Sequence, residues 1–436
     1  MMQKFFQLLR YSIGASDEVP DIISDEEWND IYEMAAMQSV SGVMFEGVQR
    51  LGEQGVRPPF QLLMDWVAAA GQIEEQNRAV NRVAVKFLAQ LRQDGFEGCI
   101  LKGQGNNLLY PNVYSRMSGD VDVWVRKVES LELRVESGEE LGVRKVESLE
   151  CRVERVESGE SLEYRDESLE LRVESLERET IRYVKERNPK ARAVYHHIDY
   201  GEFDEVEVEV HYRPSFMNNL IHNGRMQRWI EEVADEQFRH EVELPDGVGK
   251  VCVPTREFNI FFQLSHIYNH VLHEGIGLRQ VVDYFFLLKD GKNNQFRVER
   301  NEKLGIRNEE LGMRNEGEDG LGLRVESLEK VMRRLGLWKI AMAVMWVLHE
   351  VLGLEEEYLI APMDERLGRV LLSEIMRGGN FGQYDEQNIK ADSPLKKNWQ
   401  RICRDFRMMR YFPSECLWEP LFRLWHFFWR FFRGES

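Results

Sequence analysis

The sequence predicts an α+β fold: a small β-sheet core flanked by N-terminal and C-terminal helical regions and interrupted by repetitive inserts. Three observations support this. Residues 1–98 carry helical periodicity closed by turn signals, residues 99–125 and 193–212 carry two-residue alternation of apolar and polar side chains, and helical periodicity returns from Arg256 onward. The regions implied are 1–98, a core at 99–255 and a helical part at 256–436, with inserts at 127–178 and 296–330.

In the first region, Met1 to Ala15 holds Phe5, Phe6, Leu8 and Leu9, but Lys4 and Arg10 interrupt them and no small-residue cleavage site follows; this reads as a helix, not a signal peptide. Ser24-Asp25-Glu26-Glu27 has the form in which a hydroxyl caps an early backbone N–H and a glutamate reaches back, so a helix starts there. Pro58-Pro59 opens a longer periodic segment through Leu91, ended by Asp94-Gly95. The region reads as a scaffold packed beside the sheet.

The core opens with an apolar run, Cys99-Ile100-Leu101, that meets Lys102-Gly103 and a turn-rich segment. Asp120 and Asp122 then alternate with Val121, Val123 and Val125, as in a strand. Strand side chains repeat every two residues, which puts the two carboxylates on one side, about 6.6–7 Å apart. Carboxylates so placed repel one another unless cations lie between them. Further on, Ala193 to Tyr200 reads as one strand and Glu205 to Tyr212 as the next, with Gly201-Glu202-Phe203-Asp204 as the turn. In the second of these, Glu205, Glu207, Glu209 and His211 share one face and Val206, Val208 and Val210 the other.

Apolar strand, glycine turn, short helix, then apolar-Asp-apolar-Asp resembles the core of the DNA polymerase β-type nucleotidyltransferase superfamily. More narrowly, Lys102-Gly103, Tyr110-Pro111, Arg116, Asp120-Val121-Asp122 and Glu209-Val210-His211 are similar to the bacterial group called uncharacterised nucleotidyltransferases. The resemblance implies a small mixed β-sheet and transfer of a nucleoside monophosphate from an NTP to a hydroxyl of a small molecule, sugar or protein, with release of pyrophosphate. It implies two Mg²⁺ ions held by Asp120, Asp122 and Glu209, the last also helping to take the acceptor's proton. Gly103 would let the backbone approach the triphosphate, Lys102 and Arg116 would neutralise phosphate, and His197 and His211 would line the acceptor side. Many superfamily members place Gly-Ser at the first turn, whereas Gly103 is followed by Gln104 and Gly105; backbone amides at a glycine turn opening a helix still bind phosphate. The alternative is a non-catalytic module that holds nucleotide or a partner on the same fold.

The inserts are identified by repetition. Val-Glu-Ser-Leu-Glu occurs at 128–132, 146–150, 173–177 and 325–329, and Leu-Gly-Ile-Arg-Asn-Glu at 304–309 returns with one change at 311–316. Apolar residues are too sparse there to build a core. Residues 127–178 hold 9 basic and 16 acidic side chains and 296–330 hold 7 and 9, so the inserts carry half of the net −18. The overall acidity argues against a nucleic acid backbone as the main partner. Five cysteines without paired spacing fit a reduced compartment and a cytoplasmic location.

In the last region Phe258 to His273 has helical periodicity, and Gly275 to Phe285 is similar to the helical segment that follows the core in the resembled group. Arg279 and Asp283, four apart, can pair on one turn. His266, His270 and His273 could present imidazoles to a metal, but no fourth ligand is evident, and helix packing or substrate contact is the favoured reading. Leu417 to Phe432 is aromatic with arginines beside it: it either closes the helical core, which is favoured, or lies in a membrane interface.

Overall fold

The computed structural model describes residues 1–22, 24–128, 162–273, 275–289, 328–379 and 394–433. Most of both repetitive inserts lies outside the described residues.

Four helices come first: α1 (Met2–Ser12), α2 (Asp25–Met37), α3 (Ser41–Glu53) and α4 (Phe60–Gln93). The capping box forms as its residues dictate, with Ser24 Oγ accepting from Glu27 N and Glu27 Oε2 accepting from Ser24 N, both at 3.2 Å. Pro59 is the N-cap of α4, and Gly95, at φ +84°, turns the chain out of it. The first helix is part of the core: Phe5, Phe6, Leu8, Leu9 and Tyr11 are buried.

The sheet is built from β1 (Phe96–Leu101), β2 (Val121–Lys127), β3 (His197–Phe203) and β4 (Val206–His211), with the five-residue helix α5 (Gly103–Asn107) between the first two and α6 (Leu162–Arg187) before the third. Its order is β1-β2-β4-β3. β1 and β2 are antiparallel, β2 and β4 parallel, and β3 and β4 antiparallel, so the sheet is mixed.

The β3–β4 hairpin departs from the sequence expectation. Its first strand begins at His197 and runs on to Phe203, and the turn is Asp204-Glu205. Both turn residues have positive φ, 48° and 67°. Such a pair makes a two-residue hairpin turn whose twist matches the flanking strands, so the hairpin closes more tightly than a four-residue turn would. The register shifts by one residue at a bulge between Asp199 and Gly201. The third repeat copy, 173–177, lies on α6, where Glu177 is fully buried and pairs with Arg213 at 2.7 Å.

Beyond the sheet follow α7 (Leu220–Gln237), a hairpin of β5 (Glu241–Leu244) and β6 (Gly249–Cys252), then α8 (Arg256–His273), α9 (Leu278–Lys289), α10 (Leu328–Arg334), α11 (Trp338–Trp346), α12 (Glu365–Gly378), α13 (Pro394–Met409) and α14 (Pro413–Arg433). Among the described residues, no helix is long and apolar enough to cross a membrane.

The two sheet faces are covered differently, and this positions the site. Val121, Val123, Val125, Val208 and Val210 pack against Val80, Val83, Ala84 and Phe87 of α4. Gly98 permits the close approach, since a Cβ there would run into Leu88 of α4 and Val123 of β2. The opposite face contributes Cys99, Leu101 and Trp124 to a larger core formed with α1–α3 and α8–α12. Asp122 lies on this second face, as the two-residue period requires.

Candidate active site

A cavity of about 280 Å³ lies between the second sheet face and helices α8 and α9. Asp120, Asp122 and Glu209 all line it. Asp122 and Glu209 are register partners on the parallel strands β2 and β4, so their side chains leave the same face side by side. Asp120 sits one residue before β2 begins, so it is placed by the entering turn and not by the strand ladder.

The electrostatics are those of crowded anions. Burial, then the charges of Asp122 and Glu209, push the Asp120 carboxyl up to about 6. Asp122 goes the other way. Burial alone would raise it, but the Lys102 ammonium and the hydrogen bond from His211 hold it well below the usual carboxylate range. Lys102 Nζ is 3.2 Å from Asp122. Its own backbone sits at φ 52°, ψ −123°, a conformation that costs a non-glycine residue and that is found at the cavity wall, where it delivers the ammonium.

Gly103, the next residue, has φ +21°, and a Cβ built on it would meet nothing within 4 Å. A ligand can therefore approach that backbone closely.

His211 Nε2 is 2.9 Å from Asp122 Oδ1 and 3.4 Å from Glu209 Oε2. Burial pulls the imidazole down, yet hydrogen bonds to these two carboxylates outweigh it and raise His211 to about 9. His197 pairs with His211 across β3 and β4. Its Nε2 is 3.2 Å from Asp199 and its Nδ1 3.7 Å from Glu209 Oε2.

Arg116 lines the cavity but is committed elsewhere. Its Nε and Nη2 donate to Asp283 Oδ1 and Oδ2 at 2.7 and 2.8 Å, with both residues buried. Tyr110 and Asn106 donate to the same carboxylate, at 2.5 and 3.2 Å. Arg279 donates to the backbone oxygen of Met117 at 2.9 Å.

Sequence reasoning left His196 and Arg279 out of the site and gave the histidines of α8 to helix packing or substrate contact. Six of the ten histidines, His196, His197, His211, His266, His270 and His273, line this one cavity, too strong a concentration for helix packing alone. The signal was present in the His196-His197 pair and in the four-and-three spacing on α8, which puts three imidazoles on one helical face. Burial, followed by the charges of Lys102 and His270, holds His266 well below the ordinary histidine value, so it is a neutral ring.

A mixed sheet with two aspartates leading into one strand and a glutamate on its parallel neighbour is the arrangement that the sequence resemblance leads one to expect. The profile of the uncharacterised nucleotidyltransferase family matches residues 24–314, two thirds of the chain. The chain belongs to that family and is a nucleotidyltransferase of unspecified acceptor. No curated protein and no solved structure significantly matches it.

Proposed function

We propose that the protein transfers a nucleoside monophosphate from an NTP to a hydroxyl of a small molecule, sugar or protein, with Mg²⁺. The observation that carries this is the in-register pairing of Asp122 with Glu209, with Asp120 at the head of the same strand, all three opening into one cavity. The donor set fits hard divalent cations: three carboxylates supply oxygen ligands, and burial followed by the charges of Asp122 and Glu209 lifts Asp120, as in crowded carboxylates with no ion between them. Asp120, Asp122 and Glu209 would hold two Mg²⁺ ions, whose chemistry there is to stabilise the attacking and leaving oxygens of an in-line displacement.

The chain's own residues do the rest. Gly103 leaves room for the triphosphate against the backbone, and Lys102 exchanges its contact with Asp122 for a phosphate oxygen. Arg116 contributes fixed positive charge at the cavity wall from its anchored position on Asp283. Glu209, half in solvent, accepts the proton of the attacking hydroxyl as the acceptor oxygen bonds to the α-phosphorus and the bond to pyrophosphate breaks. His197 and His211 line the acceptor side.

The test is incubation with each α-labelled NTP, Mg²⁺ and candidate hydroxyl acceptors, reading pyrophosphate. Release that falls at least about 100-fold in Asp122→Asn supports the reading. Metal-dependent nucleotide binding with no turnover on any acceptor would instead favour the non-catalytic module.

A further inference from the structure

We propose that His196, His197 and His211 form a second metal site, for a transition metal of the zinc class, beside the carboxylates. This goes beyond the transferase reading and does not rest on it. The antiparallel register of β3 and β4 sets His197 opposite His211, and His196 precedes it by one residue. Ring centroids are 4.4 Å apart for His196 and His197, 5.0 Å for His197 and His211, and 5.6 Å for His196 and His211. One nitrogen from each ring lies within 4.8 Å of the other two, the sole such all-histidine group among the described residues.

What points to a ligand is the way the rings are held. His211 Nε2 hydrogen-bonds the Asp122 carboxylate at 2.9 Å, and His197 Nε2 lies 3.2 Å from that of Asp199. Both leave Nδ1 buried and without a hydrogen bond, that of His197 lying 3.7 Å from Glu209 Oε2. Metal-bound histidines are oriented in this manner, one nitrogen on a carboxylate and the other on the ion. A buried polar atom left without a hydrogen bond is costly, so two on neighbouring rings call for a shared partner, and a cation satisfies both lone pairs at once. Imidazole nitrogen suits zinc, iron, nickel or copper, whereas Mg²⁺ takes oxygen. Three protein ligands would leave a fourth position for a water or substrate atom, and all three rings line the cavity.

The experiment uses the full-length untagged chain, stripped with chelator and titrated with Co²⁺ as a spectroscopic probe, then challenged with Zn²⁺. The expected result is one equivalent of Co²⁺ with visible d–d bands that Zn²⁺ abolishes. His196→Asn and His197→Asn remove the bands. Asp199→Asn, at an exposed position that does not endanger folding, weakens Co²⁺ binding about 10–100-fold. Asp120→Asn keeps the bands whatever becomes of its turnover, so the metal site and the transferase reading fail separately. The proposal is overturned if the wild type takes up no Co²⁺, if the histidine variants bind as the wild type does, or if Asp120→Asn alone abolishes the bands.

Discussion

Asp122 and Asp283 are both buried carboxylates in the wall of one cavity, 5% and 3% exposed, and they are treated in opposite ways. Asp283 is closed: Arg116 grips both oxygens, and Tyr110 and Asn106 take the remaining lone pairs. Asp122 is open: it has a lysine and a histidine, but also Asp120 and Glu209 crowding the same space. A fully satisfied charge holds a fold together. A charge set among like charges is poised for something the chain does not supply.

The largest effect should come from the closed carboxylate. Asp283→Asn strands the Arg116 guanidinium in the interior, and loss of one partner from a buried pair costs about 3–5 kcal/mol; the drop in urea midpoint measures it. Asp122→Asn should cost only about 1 kcal/mol in the same titration, one hydrogen bond's worth, because Lys102 keeps Asp120 and Glu209 as neighbours. Equal losses at the two positions would erase the distinction between them.

A third buried carboxylate sharpens the comparison, because it is crowded but lies outside the cavity. Asp405 of α13 faces Glu419 of α14, and burial, then the charge and hydrogen bond of Glu419, raises Asp405 from the usual 3.8 to about 7. The folded chain therefore holds this proton longer than the unfolded one. Its stabilisation is complete below about pH 4 and is lost as pH rises through about 7. The urea midpoint should decline across that window, and Asp405→Asn should flatten the decline without affecting nucleotide transfer. The smallest effect is expected at the cap of α2, where Ser24→Ala should cost about 1 kcal/mol and nothing else.

Much of this arrangement was legible because strands and helices write their faces into the sequence. The Asp-Val alternation of β2 and the Glu-Val alternation of β4 announce which side carries the carboxylates, and Ser24 and Glu27 announce a helix start. The mixed sheet itself follows from the resemblance carried by those same residues. What stayed hidden depends on distance or on backbone shape. The partner of Arg116 is 167 residues away, and no local pattern ties the two together. The tight Asp204-Glu205 turn uses left-handed residues that are not glycine, so it leaves no glycine signal. The histidine concentration emerges only when α8 is laid over the hairpin of β3 and β4.

The account rests on Glu209 standing beside Asp122 across the parallel strands to complete one acidic site. Glu209→Gln keeps size and hydrogen bonding while removing charge, so the decisive measurement is pyrophosphate release from α-labelled NTP by this variant, set beside its urea midpoint. A fall of about 100-fold with an unchanged midpoint is the predicted result. Undiminished release from a folded Glu209→Gln protein would contradict the site as drawn.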